Sequence, residues 1–389
     1  MRTTILLLVA AALAFAGCGG DDEGGAGAGG GDGTTVKVGL TSAFSGDIAY
    51  YGQDSKKGAE LAIERLHEEN PDVRFELVTS DDECSPEGGA SSYRRLVDVE
   101  QVDVILGSAC SGATLGGMPV LQQMQVPGMT FGSTNATISE QSGVGGNEYS
   151  WRMNIDDSIM GETWTKYIAE EGIGRVAILA ANNDFGRGAA ELYAELLPKV
   201  NIELTATEYY DLSASDVRSQ LTKIDRAGAE ALITFAEPTD CALFLRQMNE
   251  LGIELPMYGR GGCTTNEAID ALGDQRELAE GVMEATYWAP TKPQQEFLDA
   301  FQEKFGHFPA YNSALAYYGM LTLAEAVEQG GADPQGMQEG LGKVDFETPI
   351  GPIRFDDHNQ AHPHMFIVTV EKGEPKVLEE IDTETGASI

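Results

Sequence analysis

Apolar residues alternate along this chain between short continuous runs and helical spacing. Residues 36–40 read as a buried strand, and Ala59, Ala62, Ile63 and Leu66 then recur at the 3.6-residue period of a helix. Strands over 73–79, 102–106 and 126–131 alternate with helices over 86–101 and 112–125, and a strand over 149–153 closes the unit. The pattern then restarts. Helices over 158–171, 186–199, 215–227 and 239–251 alternate with strands over 175–181, 202–209, 231–235 and 256–258. A short helix near 264–272, a strand-like stretch over 281–288 and a helix over 292–305 follow. Residues 311–329 make an amphipathic helix with Ala316, Met320, Leu323 and Val327 on one face, and the tail carries strands over 352–355 and 365–370. Strands alternating with helices of this length predict parallel sheets covered on both faces. The expectation is two α/β units in tandem, whose facing strand ends form a cleft for a small molecule.

The first residues do not belong to that pattern. Met1 and Arg2 precede 12 apolar residues over 5–16, a run too short for a membrane-spanning helix, which needs about 20. A basic start, a short apolar core and small residues beyond it predict a secretory signal over 1–17. Phe15-Ala16-Gly17-Cys18 resembles the bacterial lipobox, although Phe15 stands where Leu is usual; the resemblance implies a lipid on Cys18. Of the 15 residues over 19–33, nine are Gly and four are Asp or Glu. Residues 18–34 therefore read as a flexible tether, with a reach of roughly 20 Å. The expected location is extracytoplasmic, with the membrane engaged only through the lipid.

Counted from Cys18, 372 residues remain (389 less 17), more than a single core of about 250–300 supports. A net charge of −37 excludes nucleic acid and anionic lipid surfaces as partners, since both require clustered Lys and Arg, and reads as a heavily solvated surface. With Cys18 set aside, four cysteines remain in an oxidising compartment. Cys84 and Cys110 each follow a predicted strand of the first unit, which places them on neighbouring strands at one sheet edge. Cys241 and Cys263 repeat this in the second unit. Of three possible pairings, only 84–110 with 241–263 keeps each bond inside one unit. The alternative, a metal site, lacks both a C-x-x-C and a matching His spacing. His358, His362 and His364 read as a polar turn between strands. Gly186 and Gly188 read as a strand-to-helix turn, since the Lys of a phosphate loop is absent. No metal and no cofactor is expected. Ser111 lacks both a G-x-S-x-G setting and a neighbouring His motif, which argues against nucleophilic catalysis and an enzyme.

Several stretches taken in order carry a resemblance. They are Phe44 to Gly52, Asp81-Asp82-Glu83-Cys84, Gly107 to Gly112, Val126-Pro127 through Gly132-Ser133-Thr134-Asn135, Asn183 to Gly188, and Gly351 to Asp356. Over nearly the whole chain from Val36 they resemble the type I periplasmic binding proteins, nearest the leucine/isoleucine/valine-binding group of ABC importers. The resemblance implies two doubly wound parallel-sheet lobes with a three-crossing hinge. Lobe 1 would be 35–156 plus 287–362, and lobe 2 would be 157–286 plus 363–389. It implies a monomeric receptor that delivers a small solute to permease subunits, with a ligand sensor for a signalling partner as the alternative. Ser111, Gly132, Ser133 and Thr134 would hold the head group of an amino acid, the start of the Ser111 helix favouring its carboxylate. Tyr51 and Phe185 would line the pocket, and Asp157 would support it near the hinge. One departure stands out: Gly261 occupies the position where amino-acid binders of this family place the Glu that meets the ligand ammonium. Either Glu237 takes over that role, or the ligand has no ammonium and is an amide, a carboxylic acid or an aromatic acid.

Overall fold

The computed structural model describes residues 34–389 apart from 47 and 213, so the signal, Cys18 and residues 18–33 of the tether lie outside the described residues. Thr34 opens the first strand. In the first sheet β1 (Thr34–Ser42) lies between β2 (Val73–Asp81) and β3 (Val104–Leu106), followed by β4 (Gly128–Thr130) and β5 (Ser150–Arg152), all parallel. The helices are α1 (Tyr50–Glu69), α2 (Pro86–Asp98), α3 (Ser111–Met124) and the short α4 (Ala136–Glu140). The second sheet repeats this order. β6 (Arg175–Ala181) lies between β7 (Glu203–Tyr210) and β8 (Ala231–Phe235), and β9 (Met257–Arg260) and β10 (Met283–Thr286) follow in parallel. Its helices are α5 (Asp157–Glu170), α6 (Asp184–Leu196), α7 (Arg218–Arg226), α8 (Pro238–Leu251) and α9 (Asn266–Ala271). β3 and β8 are buried along their whole length, as expected of central parallel strands covered on both faces.

The late elements divide between the two sheets. After α10 (Gln295–Phe305), α11 (Tyr311–Gly330) packs on α1 and on β3, and α12 (Pro334–Leu341) packs on α11. The α1–α11 approach is close enough that a methyl group on Gly58 would come within 1.9 Å of the Ser313 carbonyl oxygen, so only glycine fits there. A hairpin of β11 (Asp345–Thr348) and β12 (Gly351–Arg354) follows. The chain then returns to the second sheet, where β13 (Met365–Glu371) runs antiparallel to β10 and β14 (Glu374–Ile381) antiparallel to β13.

Three differences from the sequence-based expectation have physical causes. The second sheet is parallel only in part, because β13 and β14 add two antiparallel strands at its edge. β14 escaped notice because it alternates exposed polar with half-buried positions, and an edge strand need not be apolar. Its turn, Lys372-Gly373, has positive φ at both residues, the geometry of a tight hairpin. Cys84 and Cys110 follow β2 and β3, which are not neighbours: β1 runs between them. The 84–110 and 241–263 bonds nonetheless form, each with Cα atoms 5.3 Å apart, and the first bridges over the end of β1.

Where the chain first leaves the first sheet, Arg152 is 1% exposed and satisfies its guanidinium internally. Nε donates to Gln360 Oε1 at 2.6 Å, Nη1 to the carbonyls of Asn135 at 2.9 Å and Ser133 at 3.3 Å, and Nη2 to Ser139 Oγ and to Asp156 Oδ2 at 3.3 Å. Asp156 also caps α5, accepting the N–H groups of Ser158 and Ile159 at 2.9 Å each. Removing one partner of such a pair strands a buried charge. Arg152→Met is therefore expected to destabilise the protein by about 3–5 kcal/mol in denaturant titration; a change under about 1 kcal/mol would show that the pair is dispensable.

Candidate functional site

The carboxyl ends of both sheets face one cleft, each at the point where strand order reverses, the place such sheets bind ligands. Its first wall is the start of α3. The residue before the helix is Cys110, whose sulfur is held in the disulfide, so no side chain caps the helix. The first N–H groups of a helix have no partner within it, so those of Ser111 and Gly112 remain for a ligand anion. Ser111 Oγ accepts the N–H groups of Thr134 and Asn135, each at 3.3 Å, which leaves its own proton to donate. Gly132 and Thr134 line the same wall, and the Thr134 hydroxyl donates to Asp157 Oδ2 at 3.1 Å.

The opposite wall comes from the second sheet. Asn183, Asp184 and Phe185 open α6, with Asn183 capping the helix by accepting the Gly186 N–H at 2.9 Å. Glu237 precedes α8 in the capping position, yet its carboxyl makes no cap bond. It reaches across the cleft, where Tyr51 donates to Glu237 Oε2 and Tyr311 donates to the Tyr51 oxygen. Burial, and then the nearby Asp240 charge, push the Glu237 carboxyl up to about 8. Asp240 is itself pushed up to about 6 by burial, while holding a 2.9 Å bond from the Tyr210 hydroxyl. At neutral pH Glu237 is thus protonated in this arrangement. A second bridge crosses the cleft from Asn135 Nδ2 to the Asp184 carbonyl at 2.7 Å. The Asp184 carboxylate also lies at the start of α3, 2.5 Å from where a Gly112 side chain would begin. The two walls are in contact, as in a closed receptor.

The sequence-based candidates sort accordingly. Tyr51, Ser111, Gly132, Thr134, Phe185, Glu237 and Gly261 line the cleft, and the Cys84–Cys110 bridge lines it as well. Ser133 does not: its hydroxyl lies 2.7 Å from Thr114 Oγ1 and donates to the Ser108 carbonyl, fully buried beneath the wall. Asp157 also stands behind the lining, paired with Arg260 at 2.5 Å. Gly261 has φ +108, and a Cβ there would meet the Ala236 carbonyl at 2.3 Å, so no side chain of any kind fits that position. Among the described residues no group of His, Cys, Asp and Glu is arranged to hold a metal. The three histidines go separate ways, His358 to the Ser142 carbonyl, His362 to Asp356 and His364 to Glu380.

Three lining residues were not singled out in the sequence. Tyr287 follows β10, Tyr311 opens α11, and Arg260 ends β9. A lone Arg closing an apolar strand beside two glycines is the signal that the sequence offers for Arg260.

Two similar α/β lobes meeting across a closed ligand cleft define an extracytoplasmic solute-receptor architecture. The chain belongs to the periplasmic binding protein family, whose sequence pattern matches residues 35–375. It is 24% identical over 338 residues to the leucine-, isoleucine-, valine-, threonine- and alanine-binding protein of Pseudomonas aeruginosa, covering 86% of this chain and 89% of that one. In structure it resembles the branched-chain amino acid transporter substrate-binding protein LivJ of Streptococcus pneumoniae in complex with isoleucine. The TM-score is 0.79 at 24% identity, covering 89% of this chain and 99% of that one. A solute-binding protein of an ABC transporter from R. palustris in complex with benzoate superposes with a TM-score of 0.81 at 16% identity, covering 91% and 97%.

Gly261→Ala tests the tightness of the lobe 2 wall. The left-handed backbone alone costs about 1–3 kcal/mol for a non-glycine residue, and the Ala236 contact adds to it. The expected outcome is a lower Tm and weaker ligand binding; an unchanged melt would mean that the loop relaxes around a side chain.

Proposed function

We propose that this protein is the solute receptor of an ABC importer, capturing an amino acid, branched-chain or related, between lobes built from 35–156 plus 287–362 and from 157–286 plus 363–389. The observation that carries this reading is the pairing of opposite chemistries across one cleft. On one side the open start of α3 with Ser111 suits a carboxylate. On the other, Glu237 offers a carboxyl to an ammonium where Gly261 has no room for one, while the Asp184 carboxylate of the same wall lies at the start of α3. Gly132 and Thr134 position the head group, Tyr51 and Phe185 enclose it, and Ser133 and Asp157 act from behind the wall. Hinge closure over the solute is the expected motion, and a permease is the expected recipient.

The receptor reading, rather than an enzyme, is supported by membership of a binding-protein family and by Ser111 Oγ accepting two backbone N–H groups. Residues 1–18 make it a lipoprotein held at the outer face of the cell membrane through Cys18, acting as a monomer. Among the described residues no helix is long and apolar enough to cross a membrane. Cys18→Ala is expected to shift the protein from the membrane fraction to the soluble fraction after export; retention in the membrane would end the anchor reading.

A second reading rests on the rings. Tyr51, Phe185, Tyr287 and Tyr311 line the cleft and Glu237 is protonated, which also suits an aromatic or carboxylic acid or an amide. Titration separates the two. An ammonium binds the ionised Glu237, and the protonated form dominates below about pH 8. Amino-acid affinity is therefore expected to rise nearly tenfold per pH unit from pH 6, to level off above about 8, and to be accompanied by proton release in calorimetry. Glu237→Gln removes the slope and weakens binding about 10- to 100-fold. A flat profile with undiminished affinity in Glu237→Gln would leave the acid or amide reading standing.

A further inference from the structure

Arg260 has no role in the reading above beyond lining the wall, and its surroundings call for one. Its side chain is 1% exposed. The guanidinium carbon sits 5.9 Å from the centre of the Phe185 ring and 5.6 Å from that of Tyr287, so the group is held between two rings of the cleft. Its one side-chain partner among the described residues is Asp157, reached through Nη2. Nε is shielded from solvent and has no partner among the described residues. Were Arg260 there only to balance Asp157, a two-pronged contact through Nε would satisfy both groups. Instead Asp157 turns its second oxygen to the Thr134 hydroxyl. Arg260 also lines a smaller cavity that shares Gly261, Tyr287 and Tyr311 with the cleft. A buried donor without a partner is costly, and the cost is recovered when a ligand brings an oxygen to it.

The geometry points to Arg260 as the residue that reads the far end of the solute, selecting tails that end in a carbonyl or carboxylate oxygen over aliphatic ones. The inference rests on the receptor reading and moves the ligand class for the same cleft from branched-chain tails to oxygen-bearing ones. Charge decides how broad that class is. Asp157 already offsets the Arg260 cation, so the acceptor need not be charged, and a side-chain amide serves as well as a carboxylate. An aliphatic tail between Phe185 and Tyr287 gains ring contact but leaves Nε unpaired. The head group does not enter this argument: the α3 start takes the carboxylate at the other wall whether or not Glu237 meets an ammonium.

Two sets of size-matched probes test it on the mature protein by calorimetry at pH 8. Leucine, asparagine and aspartate each carry two terminal heavy atoms on Cγ, methyls on a tetrahedral carbon in leucine and oxygen or nitrogen on a planar carbon in the other two. The corresponding acids without the amino group are 4-methylpentanoate, succinamate and succinate. In whichever set binds, the oxygen-tailed probes are expected to bind at least about tenfold more tightly than the aliphatic one. Arg260→Lys keeps a cation beside Asp157 but has no Nε–H. It is expected to weaken the oxygen-tailed probes about 10- to 100-fold and to leave the aliphatic probe within about threefold, with the unliganded Tm reporting that the fold survives. If the lysine variant melts early, Arg260→Met with Asp157→Asn removes both charges together and is expected to abolish the same preference. An aliphatic probe binding as tightly as its oxygen-tailed partners, or an equal loss for all probes in the variants, would overturn the assignment while leaving the receptor reading intact. Binding of the acid set alone would sink the ammonium role of Glu237 and still report on Arg260. Failure of every probe to bind would overturn this inference and the amino-acid reading together, leaving an aromatic ligand for the same receptor.

Discussion

Two consecutive carboxylates, Asp156 and Asp157, hold the molecule together where its two sheets meet. Asp156 pairs with Arg152 at the end of β5, and Asp157 pairs with Arg260 at the end of β9. Both arginines are 1% exposed, so each is a cation that the interior tolerates only because a carboxylate and neighbouring polar groups surround it. One arginine belongs to the first sheet and the other to the second. The first turn of α5 is thereby tied to both, and the cleft wall at Arg260 is fixed relative to the wall at Thr134, which donates to the same Asp157.

The second organising feature is the competition at Glu237. A carboxylate before a helix would ordinarily be stabilised by the helix end, but here the side chain turns away from its own helix and into the closed cleft. Burial outweighs the helix end and, with Asp240 nearby, holds the carboxyl in its protonated form at neutral pH. Protonated, it accepts from Tyr51 without placing a bare charge among the rings of Tyr287 and Tyr311. Closure and ligand chemistry meet in that one group, because its ionisation is unfavourable when the cleft is shut on itself and favourable when a cation is enclosed.

Much of the frame was legible in the sequence. The tandem α/β repeat followed from periodicity, and the cysteine pairing followed from keeping each bond within one unit, even though the place of β1 between the two cysteine-bearing strands was not foreseen. Where the reading fell short, the missing information was not local. β14 alternates exposed with half-buried positions because only one of its faces is covered, a fact about its place at the sheet edge. Ser133 sits beside two cleft residues in sequence, yet the turn of the chain aims its hydroxyl at Thr114 and Ser108. Arg260 and Asp157 are 103 residues apart, and Tyr51 and Glu237 are 186 apart.

The sequence by itself determined the order of elements, the doubling of the unit, the disulfide partners and the family, because these depend on residues near one another in the chain or repeated along it. Only the tertiary structure decided which side chains face the cleft, that Glu237 is protonated there, that no side chain can stand at Gly261, and that Arg260 keeps a donor free. Those properties arise from burial and from charges brought together across the fold, and neither spacing nor composition encodes the dielectric a group will meet or the partner it will find.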